Sequence, residues 1–382
     1  MINRGKEERK EENLNISAIA IISGTTIGAG YLGLPYVISK PGFLIGLAYL
    51  IILGIVTLFF KLCLGEVILR TSTKQQLAGY AEKYLGKKGK YIMFLSMAIG
   101  IYSALIAYLI AEGESLSYLF FGNFNYFLLF SIAFWIILAF VSYIGTEALK
   151  RFDKIGLAFV GLFLLILFFS SIKFIRSENL SNLNFSFNNL FLPIGVVLFS
   201  FIGFSSIPEA RKILYKNEGK LKSSIIIGMI IPLAFYILFT FIIIGRFGQG
   251  INEIATLNLA RIFSLIAIIT IFNSSFSQTI AIRDMFRYDF GLSRFFAWCL
   301  ACFIPLISFF IINLFQLASF IELLSFSGVV SSGIAIILIF FMKEKANELG
   351  DRKPEYSMKS HRILLFLALI ILLAGVYSAA AG

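Results

Sequence analysis

Two segments of the chain place glycines, hydroxyl residues and a proline inside runs of apolar residues. They are GTTIGAGYLGLPY, residues 24–36, and SFIGFSSIPE, residues 200–209. Glycine costs about 1 kcal/mol and proline about 3 kcal/mol in a helix interior, so both segments should interrupt their helices. An interrupted helix exposes backbone N–H groups and carbonyl oxygens that have no helical partner. Such groups suit a small zwitterion, because the N–H groups can bind its carboxylate and the carbonyls can bind a cation.

The first segment offers the clearer binding chemistry. A half-helix that starts near Gly28–Gly30 would direct free N–H groups and the positive end of its dipole at an anion. Glycine at these positions would let a ligand approach the backbone closely. The half-helix ends near Ser23–Thr26 and Ser200–Phe201 would present carbonyls to a cation. The predicted substrate-binding residues are Ser23, Gly24, Thr25, Thr26, Ile27, Gly28, Ala29, Gly30, Ser103, Ser200, Phe201, Gly203 and Phe204.

Close packing is the alternative explanation for these residues. Glycine-rich spans also form G-x-x-x-G contacts between membrane helices. Phe201 and Phe204 could form a pocket wall, or could pack in the core or against lipid like the other phenylalanines of the chain, which has 43. Stripes of small and polar residues at helical spacing, in residues 96–117, 270–284 and 318–335, also fit either close packing or the lining of a path.

The composition places both segments inside a membrane. Of the 382 residues, 59% are hydrophobic and 14% are charged, and the mean hydropathy is +0.89. A soluble domain carries about 25% charged residues. The apolar residues form runs long enough to cross ~30 Å of hydrocarbon, rather than the alternating ~10-residue stretches of a β-barrel. We therefore predict an all-α polytopic membrane protein with eleven transmembrane helices, at about 15–38, 43–68, 91–121, 125–145, 153–173, 190–213, 224–245, 262–284, 295–312, 315–342 and 363–381.

The polar residues argue against an enzyme, a cofactor and a metal site. The cysteines Cys63, Cys299 and Cys302 fall within predicted spans, and His361 is the only histidine. Zinc would need more ligands than these. An enzyme embedded in the membrane would need a group such as H-E-x-x-H or paired aspartates within the spans. We expect no enzyme activity, no cofactor and no metal.

The distribution of positive charge predicts the orientation. The formal net charge is +12, and 27 of the 33 Lys and Arg residues fall on the side of the N-terminus. Cytoplasmic loops carry such an excess, so the N-terminus is expected in the cytoplasm and, with eleven spans, the C-terminus outside a plasma membrane. The lipid bilayer, and not nucleic acid, then accounts for the basic charge. Residues 71–85 have helical apolar spacing and predict a short amphipathic helix on the cytoplasmic surface.

The span order predicts an inverted repeat. The predicted units are a cytoplasmic tail at 1–13, five-helix repeats at 14–173 and 190–342, and an eleventh helix at 361–382. Because five is odd, the second repeat enters the membrane from the opposite side to the first. Each repeat opens with an interrupted helix, spans one and six, and this arrangement is typical of secondary transporters with a substrate site near the midplane.

The chain also resembles a known family. GTTIGAGYLGLPY resembles the first-helix signature of amino acid permeases in the amino acid–polyamine–organocation superfamily. Within that superfamily, SFIGFSSIPE resembles the interrupted sixth helix of the hydroxy- and aromatic-amino-acid permease branch and its amino acid/auxin permease relatives. Residues 273–291, NSSFSQTIAIRDMFRYDFG, resemble the eighth helix and the turn after it. The resemblance implies a leucine-transporter-type fold of 5+5 helices plus one, and symport of an amino acid with a cation. It also matches Ser274 and Ser275 to hydroxyls that help to hold sodium in some relatives.

The coupling ion is less clearly indicated. Gly24 stands where some sodium-coupled relatives carry asparagine, which favours H⁺ over Na⁺. Intramembrane acids are costly and are therefore candidates for a titrating group, with Glu322 first and Glu114 second. Lys61, within the second span, could reach the membrane surface or meet a buried acid, and Glu66 should pair with Arg70 at (i, i+4). The ion-coupling candidates are Gly24, Ile27, Ser274, Ser275, Glu322 and Glu114.

Together these patterns predict a secondary active transporter. The expected function is cation-coupled symport of a neutral amino acid by alternating access, with a proton favoured over sodium. A carrier of another small organic cation or of a nucleobase would use the same fold. A non-transporting amino acid sensor is a further alternative.

Overall fold

The computed structural model describes residues 2–144, 161–215, 217–359 and 362–381, and these residues form helices joined by turns and loops. The helices are α1 Ile2–Thr26, a 3₁₀ helix Ala29–Leu32, α2 Leu34–Ser39, α3 Phe43–Leu69, α4 Leu77–Phe121, α5 Phe127–Ile144, α6 Gly161–Phe174, α7 Ser177–Ser181, α8 Phe187–Ser200, α9 Ser206–Ile213, α10 Leu221–Phe247, α11 Ser264–Asp284, α12 Arg294–Phe315, α13 Phe320–Ser327, α14 Gly333–Leu349 and α15 Arg362–Ala381.

Within the described ranges, seven helices are long and apolar enough to cross a membrane. They are α3, α4, α5, α10, α11, α12 and the run Phe320–Leu349 that joins α13 to α14. A bent pair, Asn13–Thr26 with Ala29–Ser39, reaches that length together, and α6 and α8 are shorter apolar helices. Part of the predicted fifth span, 153–173, lies outside the described residues. The count of eleven therefore stays a prediction.

The chain leaves the helical path after α1. Thr26 is the last residue of α1, the backbone at Gly28 is extended (φ −83°, ψ −164°), and the chain bends by 46° before α2. Pro35 lies in the first turn of α2, where its missing N–H removes no helical hydrogen bond. At its other end α1 reaches back to Ile2, so the predicted tail at 1–13 is helical from residue 2, while the apolar part of this helix begins at Asn13.

A second interruption separates α8 from α9. The last residue of α8 is Ser200 and the first of α9 is Ser206. Between them Gly203 has φ +122°, a backbone conformation that side chains with a Cβ rarely adopt. This turn and the break after α1 coincide with the two glycine-rich segments of the sequence.

The helix predicted at 71–85 differs from the observed one. It begins at Leu77 instead of Thr71 and forms the first part of α4, which is kinked at Gly86 (φ +75°). The apolar residues that carried the prediction, including Leu77, Tyr80 and Tyr84, are buried against the bundle. Their helical spacing therefore serves packing between helices rather than contact with lipid headgroups.

The tenth predicted span also begins later than expected, at Phe320 instead of residue 315. Glu322 thus lies in the first turn of α13, exposed, and not ~7 residues into the span. Its carboxylate accepts a hydrogen bond from the Ser319 amide (2.7 Å), while the Ser319 hydroxyl accepts one from the Glu322 amide (3.4 Å). This capping box satisfies two N–H groups that the helix leaves without partners.

α4 packs along α5, α11, α13 and α14 and so lies at the centre of the bundle. Small residues make the approach to α13 and α14 possible. Gly100 faces Ser331 too closely for an added side chain, and the Ser327 hydroxyl donates to the Gly100 carbonyl (2.7 Å). The small-residue stripes of spans three and ten therefore face each other.

Candidate functional site

A cavity lies between the two interruptions. Its walls come from the end of α1, the turn between α8 and α9, and the facing sides of α4, α11 and the α13–α14 run, and its volume is about 110 Å³. A single water needs roughly 10–15 Å³ of such space, so the cavity is large enough for several waters or for a small polar molecule.

The predicted residues divide between the cavity wall and its surroundings. Among them, the wall residues are Gly24, Thr25, Thr26, Gly28, Gly30, Ser200, Gly203, Phe204 and Ser274. Ser23, Ile27, Ala29, Ser103, Phe201 and Ser275 are buried outside this lining, and Glu114 and Glu322 line a different depression. The structure therefore gathers most of the predicted glycines and hydroxyls into one site and separates the two acids from it.

Gly28 and Gly30 differ in what surrounds them. A Cβ at Gly28 would lie 3.2 Å from Ser274 Oγ and 3.9 Å from the Tyr108 hydroxyl, both of them side-chain atoms. A Cβ at Gly30 would lie 2.8 Å from Ser200 Oγ and 3.0 Å from Ser200 Cα. Gly30 therefore serves close packing between the two interruptions. Gly28 leaves backbone open towards polar side chains of the cavity.

Tyr236, on α10, connects the two interruptions from outside the cavity. Its hydroxyl lies 2.6 Å from the Thr26 carbonyl and 2.7 Å from the Ser200 carbonyl, and it can donate its one hydrogen to either. Both carbonyls belong to the last residue of a helix that stops. Sequence reasoning missed this residue. The available signal was a phenol in an apolar span, which needs a hydrogen-bond partner when buried.

One face of α11 supplies amides and hydroxyls to the cavity. Asn273, Ser274, Ser277 and Gln278 line it, and Gln278 Nε2 donates to the Tyr108 hydroxyl of α4 (3.2 Å). The sequence stripe at 270–284 is thus a polar wall. The opposite side of the cavity carries apolar groups from Met97, Ile101, Phe199 and Phe204. The site can bind polar and apolar parts of one small ligand.

Lys61 lies behind the cavity wall and is fully buried. Its Nζ donates to Thr26 Oγ1 (2.9 Å), to the Ile202 carbonyl (3.4 Å) and to Met229 Sδ (3.0 Å). Both expectations for this residue were wrong, because it neither reaches the membrane surface nor meets an acid. Thr26 and Ile202 belong to the two interruptions, so the ammonium lies where these come together.

The acids are placed elsewhere. Glu66 pairs with Arg70 (2.8 Å), which confirms that prediction, and also accepts from the Met358 amide (2.7 Å). Glu114 and Glu322 share a depression with Glu253 of the α10–α11 loop. Burial raises the pKa of the Glu253 carboxyl, against the lowering effect of a hydrogen bond from the Ile321 amide.

Metal ligands are not gathered anywhere in the described ranges. No group of three or more His, Cys, Asp or Glu residues is arranged to hold a metal there, and Cys63, Cys299 and Cys302 are free thiols. The cavity itself offers hydroxyls, amides and backbone groups. These are the ligands of a small polar molecule or of a weakly bound cation.

Comparison with known proteins identifies the family. Residues 11–258 match the model of the tryptophan/tyrosine permease family. The chain belongs to the tryptophan/tyrosine permease family. It is a permease and not an enzyme, and its apolar helices make it an integral membrane protein.

Relatives that cover most of this chain, or more than half of it, are named as amino acid transport proteins. It is 28% identical to tyrosine-specific transport system 1 of Haemophilus influenzae and 27% identical to tyrosine-specific transport system 2 of that organism, with 94% of each chain covered. It is also 24% identical to glutamine transporter 2 of Aliivibrio fischeri, over 59% of each chain. The resemblance to amino acid permeases inferred from residues 24–36 and 200–209 is confirmed.

Solved structures share the fold. The permease superposes on the crystal structure of MhsT in complex with L-phenylalanine with a TM-score of 0.70, at 19% identity over 95% of this chain and 98% of that one. The manganese transporter of Eremococcus coleocola gives the same TM-score at 13% identity, over 97% of this chain and 87% of that one. The permease therefore has the all-helical fold of leucine-transporter-type neighbours.

Proposed function

We propose that this permease is a secondary active transporter that carries a neutral amino acid across the membrane in symport with a cation, with a proton favoured over sodium. The observation that carries the proposal is the cavity between the two interruptions, with open backbone at Gly28 on one side and the polar face of α11 on another. The tyrosine-specific relatives and the neighbour that binds L-phenylalanine make aromatic amino acids the first substrates to test.

The mechanism proposed is alternating access in a 5+5 inverted repeat with one added helix. Residues 14–173 and 190–342 form the two repeats, and their first helices are the interrupted ones. The cavity wall includes Leu77, at the start of α4, on the side predicted to be cytoplasmic. In this mechanism the N-terminus lies in the cytoplasm and the C-terminus outside the plasma membrane.

Sodium remains the second candidate for the coupling ion, because of one observation. Ser275 is fully buried beside Ser274, and its hydroxyl has no hydrogen-bond partner among the described residues. Such a hydroxyl is free to act as a cation ligand. The absence of asparagine at position 24 argues the other way.

A binding screen followed by uptake tests the function. Purified permease is melted in the presence of each of the twenty amino acids, with and without sodium, since a ligand that binds the folded state raises the melting temperature. Proteoliposomes with an inward pH gradient and no sodium should then accumulate the stabilising amino acid. Accumulation that needs sodium and ignores the pH gradient would reverse the choice of ion. Binding without any uptake would favour a sensor.

A further inference from the structure

The surroundings of Lys61 are those of a bound cation. Its three N–H donors have three acceptors, which are Thr26 Oγ1, the Ile202 carbonyl and Met229 Sδ. The Thr26 hydroxyl donates its own hydrogen to the Ile22 carbonyl (2.7 Å), so its oxygen is free to accept from the lysine. The acceptors come from α1, from the α8–α9 turn and from α10, three parts of the chain that meet at this one nitrogen.

Within the described ranges, no negatively charged side chain is paired with this ammonium. Among the described residues no carboxylate oxygen lies within 4.0 Å of it. A buried charge without a partner is costly, and an ionisable residue inside a membrane is a functional candidate for that reason.

Apart from one buried thiol, the titratable groups named on neighbouring elements have partners of their own. On α3, Glu66 pairs with Arg70. On α10, the Tyr236 hydroxyl serves the Thr26 and Ser200 carbonyls. Near α3, Arg211 donates to the Ile68 carbonyl and Tyr356 donates to the Leu62 carbonyl. Two lysines form ion pairs, Lys212 with Glu209 and Lys343 with Glu344. The remaining group is the buried thiol of Cys63.

The ammonium and the cavity share a wall. Thr26, Ile202 and Gly203 line the cavity, and two of them hold the lysine. A Cβ at Gly203 would lie 3.2 Å from Thr26 Oγ1 and 3.5 Å from Lys61 Nζ, so the amine lies directly behind this part of the cavity wall. A carboxylate bound there would supply the missing negative charge. By thermodynamic linkage, protonation of the amine would then strengthen carboxylate binding by the same factor by which the carboxylate favours protonation.

We propose that the Lys61 amine carries the coupling proton and takes the place that a bound cation would occupy between the two interruptions. This rests on the proposed function. The amine takes up a proton with the substrate on one side of the membrane, and as an ammonium it ties Thr26 to the α8–α9 turn. It releases that proton when the substrate leaves on the other side. Proton and amino acid therefore cross together, and no acid in the spans is needed.

The test is the pH dependence of L-tyrosine binding and transport in full-length permease. In the wild type, the Kd should tighten as pH falls, by up to tenfold per pH unit for one linked proton. Lys61→Met keeps the length of the side chain and removes its charge, so its Kd should not change with pH. It should still exchange L-tyrosine across proteoliposomes but should not accumulate it from a pH gradient. Lys343→Met, which changes a second buried lysine on α14 away from the cavity, is the matched control and should behave as wild type.

Each outcome decides between two ideas. If Lys61→Met keeps the pH slope and the gradient-driven accumulation, the lysine is not the carrier while proton symport stands. If the wild type shows neither a pH-dependent Kd nor accumulation driven by a pH gradient, proton coupling fails and the lysine proposal fails with it. Should Lys61→Met not fold, Thr26→Val replaces it, because loss of one acceptor should move the midpoint of the pH dependence to lower pH. An unmoved midpoint in Thr26→Val would then overturn the proposal.

Discussion

Gly28 and Gly30 are two residues apart and should respond in opposite ways to the same added methyl group. In Gly30→Ala the new Cβ would lie 3.0 Å from Ser200 Cα and 2.8 Å from Ser200 Oγ. That hydroxyl is held by the Val196 carbonyl (2.9 Å), and the Ser200 carbonyl is held by Tyr236, so the end of α8 cannot easily move away. Overpacking of this kind costs about 1–3 kcal/mol.

In Gly28→Ala the nearest atom is Ser274 Oγ at 3.2 Å, a hydroxyl that can rotate. The backbone at Gly28 has negative φ, so alanine adopts it without strain. We expect a stability loss below about 1 kcal/mol. Because the methyl enters the cavity, ligand binding should weaken, and the larger Gly28→Val should abolish it.

The assay is thermal unfolding in detergent, with and without L-tyrosine, for wild type and all three variants. Gly30→Ala should melt lower without ligand, whereas Gly28→Ala should melt near wild type and lose most of the ligand-induced rise. Gly250→Ala is the control, because Gly250 lies in the exposed loop after α10 and an added Cβ there would have only ordinary contacts. An undisturbed Gly30→Ala, or a Gly28→Val that still gains normal stability from ligand, would refute the assignment of the two glycines.

Three further predictions concern other parts of the permease. Tyr236→Phe should lower stability by about 1–3 kcal/mol, because one buried carbonyl loses its donor, and an unchanged melting temperature would contradict this. Burial raises the pKa of Glu218, but hydrogen bonds from Arg352 and Arg211 outweigh it and hold the pKa below its usual range. This carboxylate therefore stabilises the fold above its unfolded pKa and loses that effect as pH falls through its folded pKa. The stability difference between wild type and Glu218→Gln should shrink between pH 7 and pH 3. In a cysteine-free background, an impermeant maleimide added to intact cells should label cysteine at position 123 and not at position 217, and the reverse result would invert the proposed orientation.

The two interruptions could be predicted from the sequence because their causes are local. Glycine at 203 is required by a positive φ, and glycine at 30 by the close approach of Ser200, and each weakens a helix wherever it occurs. The polar wall of α11 could also be predicted, since helical spacing alone places Asn273, Ser274 and Ser277 on one face. The length of an apolar run is also a local property, and it located most of the helices that are long enough to cross the membrane.

The remaining features depend on tertiary contacts that a single sequence does not contain. Lys61 has the same sequence context whether it reaches the surface or the core, and its partners come from residues 35, 141 and 168 positions away. Glu322 was misplaced because an apolar run does not show where one helix ends and the next begins. Only the Ser319 hydroxyl, read as a helix cap, could have moved that boundary.

Tyr236 has one hydroxyl hydrogen within reach of two carbonyls, and this has a consequence for the speed of motion. Rotation of a phenol hydroxyl takes picoseconds to nanoseconds, whereas rigid-body motion of helices takes microseconds to milliseconds. The hydrogen therefore changes partner many times during any displacement of α1 relative to α8. As long as one carbonyl stays in reach, the number of hydrogen bonds is the same before, during and after the displacement. The contact that holds the two helix ends together thus adds little friction to their relative movement, and resists only their complete separation.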